Sequence, residues 1–121
     1  MDRTSEEDSR LLADWESVFR QGLLTFWTFV ALSQEGADVG AVKQRIEALT
    51  GGTYRPAEQT LYRQLRRHLD VGLVEQTKVP SPMGPPKNVY KLSSRGRRLL
   101  RAFARHNIAP FGDPTVQDLL R

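Results

Sequence analysis

The sequence predicts a mainly α-helical fold that contains one two-stranded β-hairpin. Apolar residues recur at helical spacing over most of the chain, two short runs of strand-forming residues flank a segment rich in proline and glycine, and another helical pattern follows them. The length of 121 residues fits a single domain over 1–121. We divide it into a long N-terminal helix over about 5–34, a core over about 35–92, and a C-terminal helix with a tail over about 93–121.

The first predicted helix runs from about Ser5 to Gln34. Thr4 or Ser5 is suited to cap it, and three acidic residues follow in the first turn, where they meet the positive end of the helix dipole. From Gly22 onward the helix is apolar on nearly all sides. Such a helix needs cover on several sides, so it is either the central core helix of the domain or partly covered by a second subunit.

Apolar side chains of the first and last helices are the candidates for a homodimer contact. They are Trp15, Phe19, Phe26, Trp27, Leu99 and Phe103. A planar hydrophobic effector could use Trp15 or Trp27 instead, because aromatic walls give such a ligand a large contact area. Ordinary core packing is the third use to which these tryptophans could be put.

A second and a third helix are predicted on either side of the Gly51-Gly52 pair. Asp38 is suited to cap the second helix. Its inward residues are Val39, Val42, Ile46 and Leu49. The two glycines permit a left-handed turn at its end, and they lack the spacing of a phosphate-binding loop. Pro56 stands at the first position of the third helix, where proline is tolerated.

The third helix has an apolar face and a basic face at 100° per residue. Its inward residues are Leu61, Leu65 and Leu69. The residues on the opposite side and its flanks are polar or basic, namely Gln59, Thr60, Arg63, Arg66 and Arg67. His68 falls beside the leucines, where a packed or half-buried histidine is expected rather than a catalytic one.

A β-hairpin and a last helix complete the predicted elements. The strands are Leu73–Val79 and Lys87–Leu92, and the segment PSPMGPP forms a stiff tip between them. Lys78, Lys87 and Lys91 make the hairpin basic. Ser93 or Ser94 caps the last helix, and Asp113-Pro114 begins a final short turn.

Charge and composition restrict the possible functions. Residues 55–105 hold twelve basic and three acidic side chains, whereas the whole chain has a net charge of only +4. Such a basic block indicates a polyanionic partner. There is no cysteine, and the two histidines are scattered, so we predict no enzyme, no cofactor and no metal site. The longest apolar run, Gly22–Leu32, is far shorter than the roughly 20 residues that span a bilayer, and we expect a cytoplasmic protein without a membrane segment.

Three helices, a hairpin and a closing helix are the element order of a winged helix-turn-helix. The third helix would then enter a groove of double-stranded DNA, because the arginine fork can pair two phosphate oxygens or the two acceptors on a guanine edge. The sequence thus predicts a sequence-specific DNA-binding regulator. The alternative is a winged-helix adaptor that uses its basic face for an acidic protein partner.

Several motifs also resemble the PadR-like transcriptional regulators. They are Gly22-Leu23-Leu24, Arg45-Ile46, the segments PAEQTLY at 56–62 and GLVE at 72–75, GPPK at 84–87 with Tyr90 and Leu92, and Ser93–Gly96. The resemblance covers roughly residues 20–103. The chain departs from the usual family pattern at Gln59, Arg63 and His68, where glycine, proline and apolar residues are commoner.

The resemblance has consequences for assembly and function. It implies a dimer built from the first and last helices. It also implies DNA binding at a palindromic operator through the third helix and the wing, which is the hairpin. It also implies repression that a phenolic or hydrophobic effector relieves. Carried over to this chain, the resemblance assigns DNA-facing positions in the third helix to Thr60, Tyr62 and Arg63. In the wing it assigns such a position to Lys87.

Overall fold

The computed structural model describes residues 5–121 and contains six α-helices and one two-stranded antiparallel sheet in that range. The helices are α1 (Glu6–Gly22), α2 (Leu24–Ala31), α3 (Val39–Leu49), α4 (Glu58–Asp70), α5 (Ser94–Phe103) and α6 (Pro114–Gln117). The strands are β1 (Val74–Ser81) and β2 (Gly84–Leu92). A π-helical turn (Ala104–Ile108) and two 3₁₀ turns (Ala109–Gly112 and Asp118–Leu120) lie beyond α5. The predicted winged fold is confirmed.

The prediction of one continuous helix over about 5–34 is wrong, because the helix is interrupted at Leu23. Ser5 caps α1 as predicted, accepting a hydrogen bond from the Asp8 amide at 3.1 Å, whereas Thr4 lies outside the described residues. Leu23 has φ −103° and ψ 6°, outside helical geometry, and α2 begins after it. Gly22 directly precedes the break and weakens the helix there.

The two halves of the predicted helix have opposite surroundings. No residue of α1 is buried, whereas α2 runs through the core and buries Leu24, Thr28, Phe29 and Ala31. The Thr28 hydroxyl donates to the Leu24 carbonyl at 2.8 Å, so this polar group is satisfied inside the apolar core. Only the second half is therefore the central core helix. No helix within residues 5–121 has both the length and the apolarity needed to cross a bilayer.

Two arginines hold the carboxyl end of α2. Arg45 Nη1 donates to the carbonyl oxygens of Ala31 at 2.9 Å and Glu35 at 3.0 Å. Arg97 Nη1 donates to the carbonyl of Ser33 at 2.8 Å. The Ala31 carbonyl at the end of α2 has no partner within the helix, and Ser33 and Glu35 lie in the loop that follows, so these guanidinium groups serve the fold rather than an outside partner.

The start of α3 agrees with the sequence, but its last turn does not. Asp38 Oδ1 accepts a hydrogen bond from the Ala41 amide at 2.8 Å and thus caps the helix. Val42 and Ile46 are fully buried, as predicted. Leu49 was expected to point inward and is 48% exposed, because the last turn of α3 extends past the edge of the core.

The loop between α3 and α4 contains the predicted left-handed turn. Gly51 and Gly52 have φ values of 61° and 79°, which only glycine adopts without strain. The helical position predicted for Pro56 is wrong by two residues. Ala57 is the N-cap of α4, and Pro56 precedes it as a buried loop residue.

The hairpin is longer and its tip shorter than the sequence predicts. The strands extend to Ser81 and from Gly84, so only residues 82 and 83 form the turn. The register shifts between Val79 and Ser81. Pro80 lies at this irregularity, where its missing N–H is tolerated.

Both ends of the hairpin are fixed to the core by backbone contacts. Ala37 and Tyr90 exchange two backbone hydrogen bonds, with N···O distances of 2.9 and 2.8 Å, and this bridge brings the start of α3 beside β2. Ser93 caps α5, accepting from the Gly96 amide at 3.0 Å. Gly96 packs so closely on the Leu73 carbonyl that any side chain at this position would collide with it.

Candidate nucleic-acid interface

Helix α4 presents its two faces as the sequence predicts. Leu61 and Leu65 are completely buried, and Leu69 packs partly buried against the same core. The exposed residues of the helix include Gln59, Tyr62, Arg63, Arg66 and Arg67, and Thr60 is half-buried. The leucines thus fix the orientation in which the basic side chains face solvent.

The three arginines of α4 carry uncompensated charge. Within residues 5–121, no carboxylate oxygen lies within 4.0 Å of the guanidinium groups of Arg63, Arg66 or Arg67. Arg45, in contrast, is paired with Glu35 at 3.2 Å. The arginines of α4 are therefore available for an anionic partner, whereas Arg45 is held in place by the fold.

The hairpin divides its lysines between two faces. Side chains of directly paired residues share a face, and successive residues alternate. Lys78 pairs with Asn88, and Gln76 pairs with the buried Tyr90, so these four side chains point toward α4. Lys91 pairs with Glu75 on the opposite face, with Nζ and Oε2 3.8 Å apart. Lys87 pairs with Val79 and alternates onto the Lys91 face, although its Nζ reaches Asp38 at 3.6 Å. The three lysines predicted as one group therefore do not act as one.

Two cavities lie side by side between α4 and the hairpin, and Tyr62 and Asn88 line both. The Lys87 cleft has a volume of about 410 Å³ and is lined by Asp38, Val39, Gly40, Glu58, Gln59, Tyr62, Lys87 and Asn88. The Arg66 cleft has a volume of about 330 Å³ and is lined by Tyr62, Arg66, Leu69, Asp70, Gln76, Lys78, Asn88 and Tyr90. Arg66, predicted at the flank of the basic face, thus points to the wing.

The two clefts differ in charge. The Lys87 cleft contains one cation and two carboxylates, those of Asp38 and Glu58, and Lys87 Nζ lies 3.6 Å from Asp38 Oδ2. In the described part of the chain, the Arg66 cleft contains two cations, Arg66 and Lys78, and one carboxylate. An anion is therefore favoured in the second cleft and disfavoured in the first.

Tyr90 forms the floor of the Arg66 cleft. It is 2% exposed, and burial raises the pKa of its hydroxyl, with the adjacent Tyr62 hydroxyl adding to the rise and Arg66 opposing it. The hydroxyl is therefore a neutral donor at physiological pH. Beside it, Gln76 Nε2 donates to Asn88 Oδ1 at 2.9 Å and orders the wall that faces α4.

His68 lies on the inner side of α4, as predicted. It is 8% exposed, its ring packs edge-on against Phe29 at 4.9 Å, and its Nε2 is 3.5 Å from Thr25 Oγ1. Burial lowers the pKa of His68, and the neighbouring positive charge of Arg67 lowers it further. The neutral imidazole is thus part of the contact between α4 and α2.

The predicted apolar site residues fall into separate groups. Trp15 and Phe19 line an open groove of about 240 Å³ on α1, where Trp15 is 74% exposed. Trp27 lines a different cavity of about 330 Å³, beside Phe19 and Tyr54. Phe26 contacts Phe103 of α5 at a centroid distance of 5.5 Å. Leu99 and Phe103 are 48% and 37% exposed. Trp15 and Trp27 do not share a pocket.

Several residues that line the clefts are absent from the predicted DNA-binding set, among them Asp38, Asn88 and Tyr90. The sequence assigns Asp38 only as a helix cap, Asn88 only to a strand, and Tyr90 to a strand and to the motif shared with the PadR-like regulators. The alternation of β2 offers a signal for Asn88 and Tyr90, because residues 88, 90 and 92 share one face of the strand and residue 92 is an apolar leucine. No local pattern indicates that Asp38 reaches Lys87, since this contact depends on the Ala37 bridge to β2.

Comparison with protein families accounts for this arrangement. The model of the transcriptional regulator PadR-like family matches residues 30–102. The chain belongs to this family. The matched segment contains the clefts and the basic face of α4, whereas α1 and the tail beyond α5 lie outside it. PadR-like proteins are transcriptional regulators and not enzymes, as the sequence predicts for this chain.

Solved PadR-like structures share the fold. A PadR family transcriptional regulator from Eggerthella lenta is 22% identical with a TM-score of 0.73, covering 97% of this chain and 98% of its own. A PadR-like transcription factor from Bacteroides fragilis is 28% identical with a TM-score of 0.63, covering 77% of this chain and 87% of its own. Among curated proteins, none shows significant sequence similarity to this chain.

One similar structure contains nucleic acid. Bacillus subtilis PadR, in complex with operator DNA, is 15% identical with a TM-score of 0.62 and covers 67% of this chain. The present chain spans 46% of the length of that PadR.

Proposed function

We propose that this PadR-like chain is a dimeric repressor that binds a palindromic DNA operator through α4 and the hairpin. The observation that carries the proposal is the uncompensated charge of Arg63 and Arg67 on the face of α4 opposite the buried Leu61 and Leu65. A helix with one apolar and one basic face can pack against its domain with the first face while the second enters a major groove of DNA. The operator complex of the B. subtilis relative supports this choice of partner.

The residues divide by role in this proposal. Gln59, Thr60, Tyr62, Arg63 and Arg67 meet the major groove, where arginine pairs with a guanine edge. Arg66 and Lys78 contact the backbone, whereas the ion pair with Asp38 limits Lys87 to a phosphate outside its own cleft. Lys91 contributes only long-range attraction, because it pairs with Glu75 on the other face of the hairpin. Binding of chromosomal DNA requires a cytoplasmic location.

Dimerisation is supported by the apolar surface outside the core. Residues with large apolar side chains that are at least 37% exposed include Leu11, Leu12, Trp15, Val18, Phe19, Leu99, Phe103, Phe111, Leu119 and Leu120. They come from α1 and from the segment that begins with α5. Monomeric proteins rarely expose apolar patches of this extent, and a second copy with the same patch would cover it.

An effector is supported by the cavity that Trp27 shares with Phe19 and Tyr54. It lies between α1, α2 and the loop before α4, so an aromatic compound bound there would contact both the dimerisation helix and the helix-turn-helix. Trp15 provides a second apolar groove on α1. We propose that occupation of the Trp27 cavity releases the operator and thereby relieves repression.

Selection from random duplex DNA tests the function. The proposed repressor enriches a palindrome, and replacement of both Arg63 and Arg67 by alanine abolishes that enrichment while the protein stays folded. If the wild type enriches no sequence and the double variant binds duplexes as well as the wild type, the DNA-binding proposal is wrong. The basic face would then serve an acidic protein, as in the adaptor alternative.

A further inference from the structure

The two clefts between α4 and the hairpin differ in a way that determines where a DNA strand can lie. A helix in the major groove and a hairpin that reaches the next groove have one sugar-phosphate strand between them. That strand must pass over the gap between α4 and β2, and both clefts open in this gap. The charge of each cleft then decides which of them accepts a phosphate.

We propose that the Arg66 cleft is a seat for one phosphodiester group of the DNA backbone, which Arg66 and Lys78 bind together. This inference rests on the proposed DNA-binding function. Arg66 comes from α4 and Lys78 from β1, so the two cations approach the same group from opposite walls. Planar guanidinium and ammonium groups are both strong donors to phosphate oxygens.

Neutral groups of the cleft complete the seat. The Tyr90 hydroxyl is protonated at its floor, and the Tyr62 hydroxyl is adjacent. The Asn88 side chain is held by Gln76 at 2.9 Å, so the polar wall is ordered before an anion arrives. Among residues 5–121, Asp70 is the one carboxylate that lines this cleft, and it leaves a net positive charge with Arg66 and Lys78.

The neighbouring Lys87 cleft excludes the same group. Its two carboxylates outnumber its one cation, and Asp38 already holds Lys87 at 3.6 Å. A phosphate there would have to break this ion pair and approach Glu58. The sugar-phosphate strand of the DNA is therefore assigned to the side of Tyr62 on which Arg66 lies.

The salt dependence of DNA affinity tests the shared seat. The full chain and its selected duplex are used with Arg66→Gln, Lys78→Gln and the double variant. Each phosphate contact contributes about 0.9 to the slope of log affinity against log salt concentration. If both cations bind one phosphate, the double variant lowers the magnitude of the slope by about one unit. Arg101→Gln is the matched control and leaves the slope nearly unchanged, because Arg101 is an exposed residue of α5 and lines neither cleft.

A scan with neutral phosphates identifies the seat with wild-type protein. A series of duplexes is made in which one methylphosphonate, which carries no charge, replaces one phosphate at a different position in each duplex. When the replaced phosphate is the one that Arg66 and Lys78 bind, the wild type and the double variant should have equal affinity. We expect this result at a single position in each half-site. A slope change of about two units for the double variant, or an unchanged slope, overturns the shared seat. An unchanged slope together with saturable binding of inorganic phosphate to the free protein would reassign the cleft to a free phosphorylated compound.

Failure of the parent proposal has a different signature. If wild-type protein binds no duplex in preference to another and has no salt-dependent DNA affinity, the DNA-binding function is wrong and the seat with it. If the wild type binds its operator but the double variant keeps the wild-type slope, only the seat is wrong.

Discussion

Asp38 and Lys87 join the start of the helix-turn-helix to the wing. Asp38 Oδ1 caps α3 through the Ala41 amide at 2.8 Å, and its Oδ2 lies 3.6 Å from Lys87 Nζ. One carboxylate thus stabilises a helix and holds the lysine that the resemblance assigns to DNA. Because Lys87 is 63% exposed, the pair contributes little to stability, and its main effect is on where the lysine can reach.

Two substitutions of Asp38 separate these roles. Asp38→Asn keeps a side-chain oxygen for the cap and removes the charge, so it leaves stability nearly unchanged and strengthens binding to every duplex at low salt. Asp38→Ala also removes the cap and lowers the free energy of unfolding by about 0.5 to 2 kcal/mol. Chemical denaturation and DNA titration check the two effects. An Asn variant with weaker DNA binding would contradict the inhibitory role of the carboxylate.

Arg63→Ala should change sequence preference more than general affinity. A lost bidentate contact to a base costs on the order of 1 to 3 kcal/mol for the preferred operator and relaxes selection at that base pair. Competition titrations with single-base-pair variants of the operator measure this loss. Lys78→Ala is the comparison, because loss of a phosphate contact weakens all duplexes about equally. Equal losses for all duplexes with Arg63→Ala would show that Arg63 contacts the backbone.

His68 makes stability depend on pH below neutrality. Burial and Arg67 lower its pKa in the folded chain, whereas the unfolded chain keeps a value of about 6.5. Between these two values the unfolded state binds more protons, so the stability from neutral His68 is complete above about pH 6.5 and is lost as pH falls through the folded pKa.

Denaturant unfolding between pH 7.5 and 5 measures this effect. The wild type loses stability over this interval, and His68→Leu reduces the loss, because leucine fills the site beside Phe29 without a titrating group. His106 is exposed, so His106→Gln serves as the control and retains the wild-type pH dependence. Equal pH profiles for His68→Leu and the wild type would exclude His68 as the titrating group.

Most helix and strand positions could be predicted, because they depend on local patterns. Asp38 and Ser93 are caps that act on amides three residues away, and the leucines of α4 repeat at helical spacing. The sequence does not predict the break at Leu23, since a periodic apolar run continues across it and a single glycine such as Gly22 is tolerated within a helix. The need for glycine at position 96 could not be predicted either. It arises because a side chain there would collide with the Leu73 carbonyl, which is distant in sequence.

The candidate site was predictable by residue type but not by arrangement. The 100° spacing of residues along α4 correctly places Arg63 and Arg67 on the side opposite the leucines, because a helix fixes the direction in which each side chain leaves its axis. The direction of Arg66 toward β1 depends on how the hairpin packs against α4, which no local pattern contains. Similarly, Lys78 and Lys91 look equivalent in sequence, and only the strand register places them on opposite faces.

The exposed apolar face of α1 predicts a dimer that charged substitutions will separate. Trp15 and Val18 are 74% and 69% exposed in the single chain and pack in no core, so Trp15→Glu with Val18→Glu leaves the fold intact. In the proposed dimer these positions would be buried, and an unpaired buried charge is strongly unfavourable. The double variant should therefore sediment as a folded monomer at micromolar concentration, where the wild type sediments as a dimer.

The consequence for DNA distinguishes a dimer contact from a minor surface effect. A dimer on a palindrome gains affinity because the second half-site binds within an already formed complex. The monomeric variant should lose at least tenfold in affinity for the palindrome while its affinity for an isolated half-site stays at the wild-type level. Gln21→Glu, an exposed polar position of the same helix, is the control and keeps the dimer. A wild-type chain that sediments as a stable monomer would refute the dimer, and the α1 face would then need another partner.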